Sequence, residues 1–441
     1  MALSYTDAVS LVEKEARRQQ TAFLGDIEKC SIFDACDRAI SEPICSPIST
    51  PEFDTSAMDG FALSSVATQG ASPESPVTFE VQGTTTAGDQ PHSHSTHSTL
   101  DDSRDGIPPC VEIMTGAPFP VGPGGDRFDC CVPIEDVVLV ENKLSSRRYI
   151  SLSKPANWRQ HRRLAGGDFT KDDQIIGIGG RVNCQHIMAM ASVGLTEIPV
   201  MRKPRIAIFS TGCELLSAGP STHRFMIHDA NGPYLSAILE KYGADVDFRG
   251  VVRDNPIAME NALLEALGQN KYDIILTSGA VSAGLCDMIP GVISSIGGRA
   301  VFHKVAVKPG HPVLFSVLPQ GRERETAFFG LPGNPVAAAA CLRFFVLPYL
   351  RTLQCQSREQ PRSARLQVHK STKAVLAFRK EADIFRPAIL SPCQRAVQII
   401  EDHSPGKTKP FLHANCWAHF PSGVEQVCDG ETVDVYPCDF E

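Results

Sequence analysis

From about residue 185 the chain alternates apolar, strand-like runs with helical ones, and that alternation limits the fold more than any other feature of the sequence. PRIAIFSTG reads as a strand, and NGPYLSAILEKYG as a helix with Asn231 as N-cap and Gly243 as C-cap. ADVDFRGVV is a strand, PIAMENALLEALGQN a helix opened by Pro256, and YDIILTSG a buried-type strand. A helix, MIPGVISSIG, and a further strand, RAVFHKVAV, follow. FFGLPGNPVAAAACLRFFVLPYL runs from a strand through a Gly-Pro turn into a helix that starts at Pro335. Strands alternating with helices imply a parallel sheet with helices on both faces.

The flanks have other patterns. Residues 1–45 read as helical. SPISTPEFDTSAMDG, rich in Pro, Ser and Asp, reads as a structured loop. PVTFEVQG and CCVPIEDVVLV then suggest a small β-rich domain. TTTAGDQPHSHSTHSTLDDSRDG interrupts it and reads as a polar surface insertion. His92, His94 and His97 are candidate metal ligands there, but a polar loop without Cys or carboxylate geometry is expected to be simply solvated. After about residue 352 the helical period is lost, and a small β domain ending in GETVDVYP is expected.

In an open parallel sheet, ligands bind beyond the carboxyl ends of the strands. That rim would carry Glu214, then Arg253 and Asp254, then Ser282 and Asp287, then Lys308, Pro309 and Gly310, with Lys304 earlier in the same strand. The turn LPGNP would add a helix N-terminus. Carboxylates with open coordination suit Mg²⁺, and lysines with a helix dipole suit phosphate or another oxyanion. Together they point to phosphoanhydride chemistry. A single polar residue at a strand end would be merely solvated; the coincidence of all of them carries the reading.

A net charge of −8 argues against a broad nucleic-acid surface. The 15 cysteines include no CxxC pair, which suits reduced thiols in a cytosolic protein. MALSYTDAVSLVEKEARRQQ lacks the apolar core of a signal peptide. VAAAACLRFFVLPYL, the most apolar run, is short for a bilayer span and carries Arg343, so no membrane is expected. The length, 441 residues, asks for several domains.

The segments TPEFDTSAMDGFAL, EIMTGAPFPVG, PIEDV, RRLAGGD, PRIAIFSTGCELL, DANG, SGAVSAGLCD, FHKVAVKPGHP and GLPGNPVAA, in this order, resemble the molybdopterin molybdenumtransferase (molybdenum insertase) family, which includes the C-terminal domain of gephyrin. SAMDG, IMTGAP and GLPGNP are highly specific together. The resemblance spans nearly the whole chain, to about residue 436. It implies an elongated N-terminal domain, passed through twice, at 1–45 and 146–184. It places a small β-rich domain at 46–145, with its polar insertion at 83–106. A doubly wound α/β molybdopterin-binding domain would fill 185–351, and a barrel-like C-terminal β domain 352–441.

The resemblance also implies a reaction: adenylated molybdopterin is hydrolysed with Mg²⁺, molybdate enters the dithiolene, and AMP leaves. Asp59, Asp168, Glu214, Asp254, Asp287, Lys304 and Lys308 match its functional positions. Asp254 and Asp287 are the expected metal ligands. Thr211, Gly212, Ser278, Gly279, Ser282, Pro309, Gly310, Gly333, Asn334 and Pro335 are the expected pterin-nucleotide contacts. Lys308, Arg386 and Ser404 are the expected molybdate contacts. A cytoplasmic homodimer is implied, with Asp59 reaching the cleft from the partner. A molybdopterin adenylyltransferase and apo-molybdoenzymes would be further partners, and nucleic acid and membrane would not. The sequence departs from the family pattern at Cys213, Ala230, Ala280, Ala283, Leu285 and His311. A catalytically weakened paralogue that binds the cofactor or serves as a scaffold is therefore the alternative, and an adenylyltransferase a third reading.

Overall fold

The structure, a computed structural model, describes residues 2–90, 106–120, 128–141, 147–216, 225–269, 271–281, 288–321, 324–367, 375–377, 381–400 and 404–438. Ser282, Ala283, Leu285, Asp287 and the three histidines at 92, 94 and 97 lie outside the described residues.

The α/β domain is built on a six-stranded sheet. Its strands are β1 (Arg205–Thr211), β2 (Asp245–Val252), β3 (Ile274–Ser278), β4 (Arg299–His303), β5 (Leu314–Gln320) and β6 (Arg324–Leu331), in the spatial order β2-β1-β3-β6-β5-β4. β2, β1, β3 and β6 are mutually parallel. β5 runs antiparallel between β6 and β4, so the sheet is mixed rather than wholly parallel. The central strands bury both faces, which is why they read as continuous apolar runs. Ala207, Phe209, Ile275 and Phe328 face a core completed by α4 (Pro256–Gly268) and α5 (Ile289–Ser295). Ile206, Ile208, Ile274, Leu276 and Phe329 face the other core.

That second core is closed by α1 (Tyr5–Leu24), α3 (Asn231–Lys241) and α6 (Pro335–Leu353). α1 starts at Ser4, whose hydroxyl oxygen accepts from the Asp7 amide at 3.1 Å, and its buried stripe Tyr5, Ala8, Val9, Val12 and Ala16 keeps helical spacing. The first helix thus packs on the α/β domain, although residues 1–45 were assigned to the elongated domain. α6 is long and apolar enough to cross a membrane, longer than the run read from sequence, yet 83% of its apolar window is buried. It is the core helix of this domain.

The helix ends at Leu24, not near residue 45. Ile27–Ser31 is a strand paired antiparallel with Glu197–Met201, and Ile44–Cys45 pairs with Gln174–Ile176. With helix α2 (Cys184–Ser192) they enclose a separate core of Cys30, Ile32, Ile40, Ile176, Met190 and Val200. Residues 185–201 therefore belong to the N-terminal body, and the α/β sheet starts only at Arg205. The β-rich domain also extends further than expected: Arg148–Leu152 sits between Val77–Thr85 and Val138–Glu141 in its six-stranded sheet. Gly83–Thr85, counted in the polar insertion, are the end of that Val77–Thr85 strand. The domain joins the N-terminal body through a narrow neck, where Ser46 and Asp173, and Thr50 and Phe169, are bonded backbone to backbone.

RAVFHKVAV is not one strand. β4 ends at His303, Lys304 takes φ 71°, and Val307–Lys308 leaves to pair with the last domain. That domain holds β7 (Arg362–Gln367), β8 (Asp383–Leu390), β9 (Ala396–Ile399), β10 (Cys416–Phe420) and β11 (Thr432–Pro437). The pairing of β8 with β10 closes these five strands into a barrel. It docks on the α/β domain through stacked Phe344 and Phe385, 3.8 Å between ring centroids, with Tyr5 edge-on at 5.1 Å from Phe385.

Candidate active site

A cavity of about 500 Å³ opens at the carboxyl ends of β1, β3 and β6, where a parallel sheet presents its ligand site. Thr211, Gly212 and Glu214 line it from β1, Asp254 from the turn after β2, and Ser278 and Gly279 from β3. Gly333, Asn334 and Pro335 line it from the turn after β6. Gly279 is required there: at φ 105°, a Cβ would lie 2.5 Å from the Thr211 hydroxyl and 2.6 Å from its carbonyl oxygen. Ala280 follows at φ 54°, a left-handed conformation in which a side chain costs about 1 kcal/mol.

Asp254 is the most informative group. Its Oδ2 accepts from the Cys213 amide at 3.3 Å, whereas its Oδ1 is buried with no hydrogen-bond partner among the described residues. A buried carboxylate oxygen left unsatisfied is costly, and on a residue that lines a cavity it suits a cation or a ligand donor that enters beside it. Glu214, in the turn after β1 and two residues past Gly212, folds its carboxylate back over that glycine. Among the described residues no three His, Cys, Asp or Glu side chains form a metal cage. The donor set fits Mg²⁺, which takes one or two protein carboxylates and fills its remaining positions with water and phosphate oxygens. The contact made at Cys213 comes from the backbone, so it does not depend on the side chain at that position.

Asn231 was read as the N-cap of α3, but it is the first helical residue. The capping is done by Asp229, whose Oδ1 accepts from the Asn231 and Gly232 amides at 3.0 and 3.1 Å while its Oδ2 accepts from the Ser210 hydroxyl at 2.6 Å. The Asn231 side chain is thereby free to cross the cavity floor. Its Nδ2 donates to Ser278 Oγ at 2.5 Å and to the Gly333 carbonyl at 2.8 Å. Asp229 and Asn231 both line the cavity and were missed as site residues from sequence. The DANG segment carries them, and its Asp and Asn were the available signal.

The other expected residues lie elsewhere. Lys304, Lys308, Pro309, Gly310, Arg386 and Ser404 do not line this cavity. Lys304 and Lys308 leave the sheet edge with the segment after β4. Lys308 pairs with Ile384 in parallel register, so Lys308 and Arg386, two residues further along β8, share one face of the barrel sheet. Burial lowers the Arg386 guanidinium below its usual range. Ser404 stands just before Pro405, whose carbonyl takes the Val336 amide at 2.9 Å, so one of the expected helix N-terminal donors is already used. His311, three residues after Lys308, donates from its ring Nδ1 to the Val305 carbonyl at 2.7 Å.

Asp59 and Asp168 are exposed and lie in the neck and β-rich domain. The Asp59 carboxylate accepts from the Thr115 amide at 2.6 Å and its hydroxyl at 2.8 Å, joining SAMDG to IMTGAP. Those two bonds, the amide first, lower its pKa below the usual carboxylate range. A crevice of about 430 Å³ at the opposite end of the sheet holds Arg18, Asp273, Arg324 and Glu325. Its arginines are already engaged: Arg18 pairs with Glu325, and Arg324 lies 3.7 Å from Asp273.

Residues 3–194 match the model of the MoeA N-terminal region (domain I and II), and residues 207–352 that of a probable molybdopterin binding domain. A molybdopterin molybdenumtransferase of Synechococcus elongatus is 30% identical over 436 residues, covering 99% of each chain. The chain belongs to the molybdopterin molybdenumtransferase family. The family member of Haemophilus influenzae is likewise 30% identical, over 95% of this chain and 96% of its own. The crystal structure of a molybdopterin biosynthesis moea protein from Pyrococcus horikosii superposes with a TM-score of 0.75 at 27% identity, covering 97% of this chain and 99% of that one. The two family models together take in both the domains before the sheet and the cavity itself.

Proposed function

We propose that the chain is a transferase that hydrolyses adenylated molybdopterin, inserts molybdate into the dithiolene and releases AMP. The observation that carries this reading is Asp254, which lines the cavity and has one buried carboxylate oxygen without a partner among the described residues. Mg²⁺, bound there, would neutralise phosphoanhydride charge. Asp254 and Glu214 would hold that ion, and Asp287, outside the described residues, is the second metal ligand that the family resemblance implies. Thr211, Ser278 and the Gly333–Asn334 turn cradle the nucleotide. Water adds to phosphorus, the bond to the pterin phosphate breaks, and AMP departs. An adenylyltransferase alone would not need the flanking domains that the family match covers.

The decisive experiment mixes the purified chain with adenylated molybdopterin, Mg²⁺ and molybdate, and follows AMP release and activation of an apo-molybdoenzyme. Binding without AMP release would instead support the weakened paralogue. The supplier of the substrate would be an adenylyltransferase, and the acceptors apo-molybdoenzymes, all in the cytoplasm.

Molybdate is a tetrahedral dianion whose oxygens accept hydrogen bonds, so Lys as a compact charge and Arg as a planar fork of donors suit it. The shared face of Lys308 and Arg386, with Ser404 as a third contact, is the proposed pocket. Arg386→Ala is expected to raise the molybdate concentration needed for cofactor formation on the order of tenfold, the loss of one charged hydrogen bond. Pterin-nucleotide affinity should stay unchanged. Unaltered molybdate dependence, or a fall in pterin binding alone, removes Arg386 from that pocket.

A homodimer completes the reading. Asp59 and Asp168 do not reach the cavity of their own chain, and Phe33 and Met188 are 87% and 71% exposed on the N-terminal body. Light scattering at micromolar concentration should give the dimer mass, and a monomer mass would end this part of the proposal.

A further inference from the structure

Asn231 is 7% exposed, and both protons of its amide are committed. The orientation of the amide is not open to a flip: the Gly333 carbonyl can only accept, so the atom 2.8 Å from it must be Nδ2. Oδ1 is then the one polar atom of this side chain with a free valence. It has no hydrogen-bond partner among the described residues, and the residue lines the cavity.

We propose that Asn231 Oδ1 is a specificity-determining acceptor that reads an N–H or O–H donor of the bound pterin nucleotide. The inference rests on the function proposed above and names a contact within that site. Three features hold the acceptor in place. Asp229 fixes the backbone at 231 and 232, Ser278 fixes the amide from β3, and Gly333 fixes it from the turn after β6. An acceptor with no freedom to rotate rejects a ligand that presents an acceptor at the same point, because two lone pairs would then face each other without a proton. An amide free to turn would offer its N–H instead and discriminate poorly. The donor has two possible sources in the substrate, the pterin ring with its amino and ring N–H groups, and the adenosine with its amino and hydroxyl groups.

The test uses pairs of probes that differ in one donor. AMP is compared with purine riboside 5′-monophosphate, 2′-deoxy-AMP and 3′-deoxy-AMP, and 6-hydroxymethylpterin with 6-hydroxymethyllumazine, in which oxygen replaces the 2-amino group. Calorimetric binding to the unaltered chain should show about tenfold discrimination within one pair, the effect of one hydrogen bond. Asn231→Ala should lose that discrimination while still binding both members. The pair affected identifies the source of the donor. A residue that merely braces Ser278 and Gly333 would weaken every probe alike and leave the ratios standing, and that outcome overturns the proposal. So does an unaltered chain that separates no pair. If the unaltered chain binds neither AMP nor 6-hydroxymethylpterin, the proposed function itself is what has failed.

Discussion

Asp254→Asn is expected to lower AMP release by on the order of 10²–10³-fold without loss of folded protein. Asn keeps an oxygen to accept from the Cys213 amide, so the turn after β2 retains its 3.3 Å bond. What disappears is the negative charge beside the unsatisfied Oδ1. Charge neutralisation by a bound cation contributes several kcal/mol to such reactions, and each 1.36 kcal/mol is about tenfold in rate. Removing a buried unpaired charge should leave the melting temperature unchanged or raise it, the pattern of a group kept for activity rather than for stability. Turnover within about twofold of the unaltered chain would return Asp254 to a purely structural role.

The largest effect on stability is expected at the far end of the same sheet. Asp273, 8% exposed, accepts from both terminal nitrogens of Arg202 at 2.7 Å and from the Arg205 amide at 2.8 Å. Arg202 is 5% exposed, reaches Asp26 at 2.9 Å and lies over the Phe23 ring. This one pair therefore ties the end of α1 and the exit from the N-terminal body to the first strand of the α/β sheet. Asp273→Ala strands a buried guanidinium and an amide together, and breaking a buried pair from one side costs about 3–5 kcal/mol. Chemical denaturation should show a loss of that size, with Asp273→Asn losing less because it keeps one acceptor. A midpoint unchanged by Asp273→Ala would mean that water reaches Arg202.

Most of the α/β domain could be read from its sequence because its signals are local. Pro256 opens α4 as expected, with the Asn255 side chain accepting from the Ile257 and Ala258 amides, and Gly243 follows α3 at φ 77°. β5 went unread because Pro319 sits inside LFSVLPQ and a proline argues against an interior strand. It is tolerated near the strand end, where its side chain is exposed. The break at Lys304 carries no composition signal, since nothing in a lysine announces φ 71°. Ile27–Ser31 was taken for helix because its partner, Glu197–Met201, lies far along the chain and no short window contains both.

The site divides along the same line. Thr211, Ser278 and Gly333, which the family resemblance implies, line the cavity at the strand ends. The lysines were placed on the wrong sheet because FHKVAV reads as continuous. Asn231 was assigned to a helix cap that Asp229 performs, and only the three-dimensional arrangement shows the difference.

The neck of the β-rich domain has a mechanical consequence. The outgoing and returning chains run side by side, joined at Ser46 and Asp173, at Thr50 and Phe169, and again where Thr55–Ser56 meets Arg162–Arg163. A pull along this ribbon loads two covalent backbones in parallel, which barely extend. Among the described residues, a sideways push is met at the neck by the bending resistance of a strip two strands wide, and such a strip has little rigidity of its own. The domain is thus attached like a plate on a leaf spring, fixed in its distance from the body and compliant in its angle.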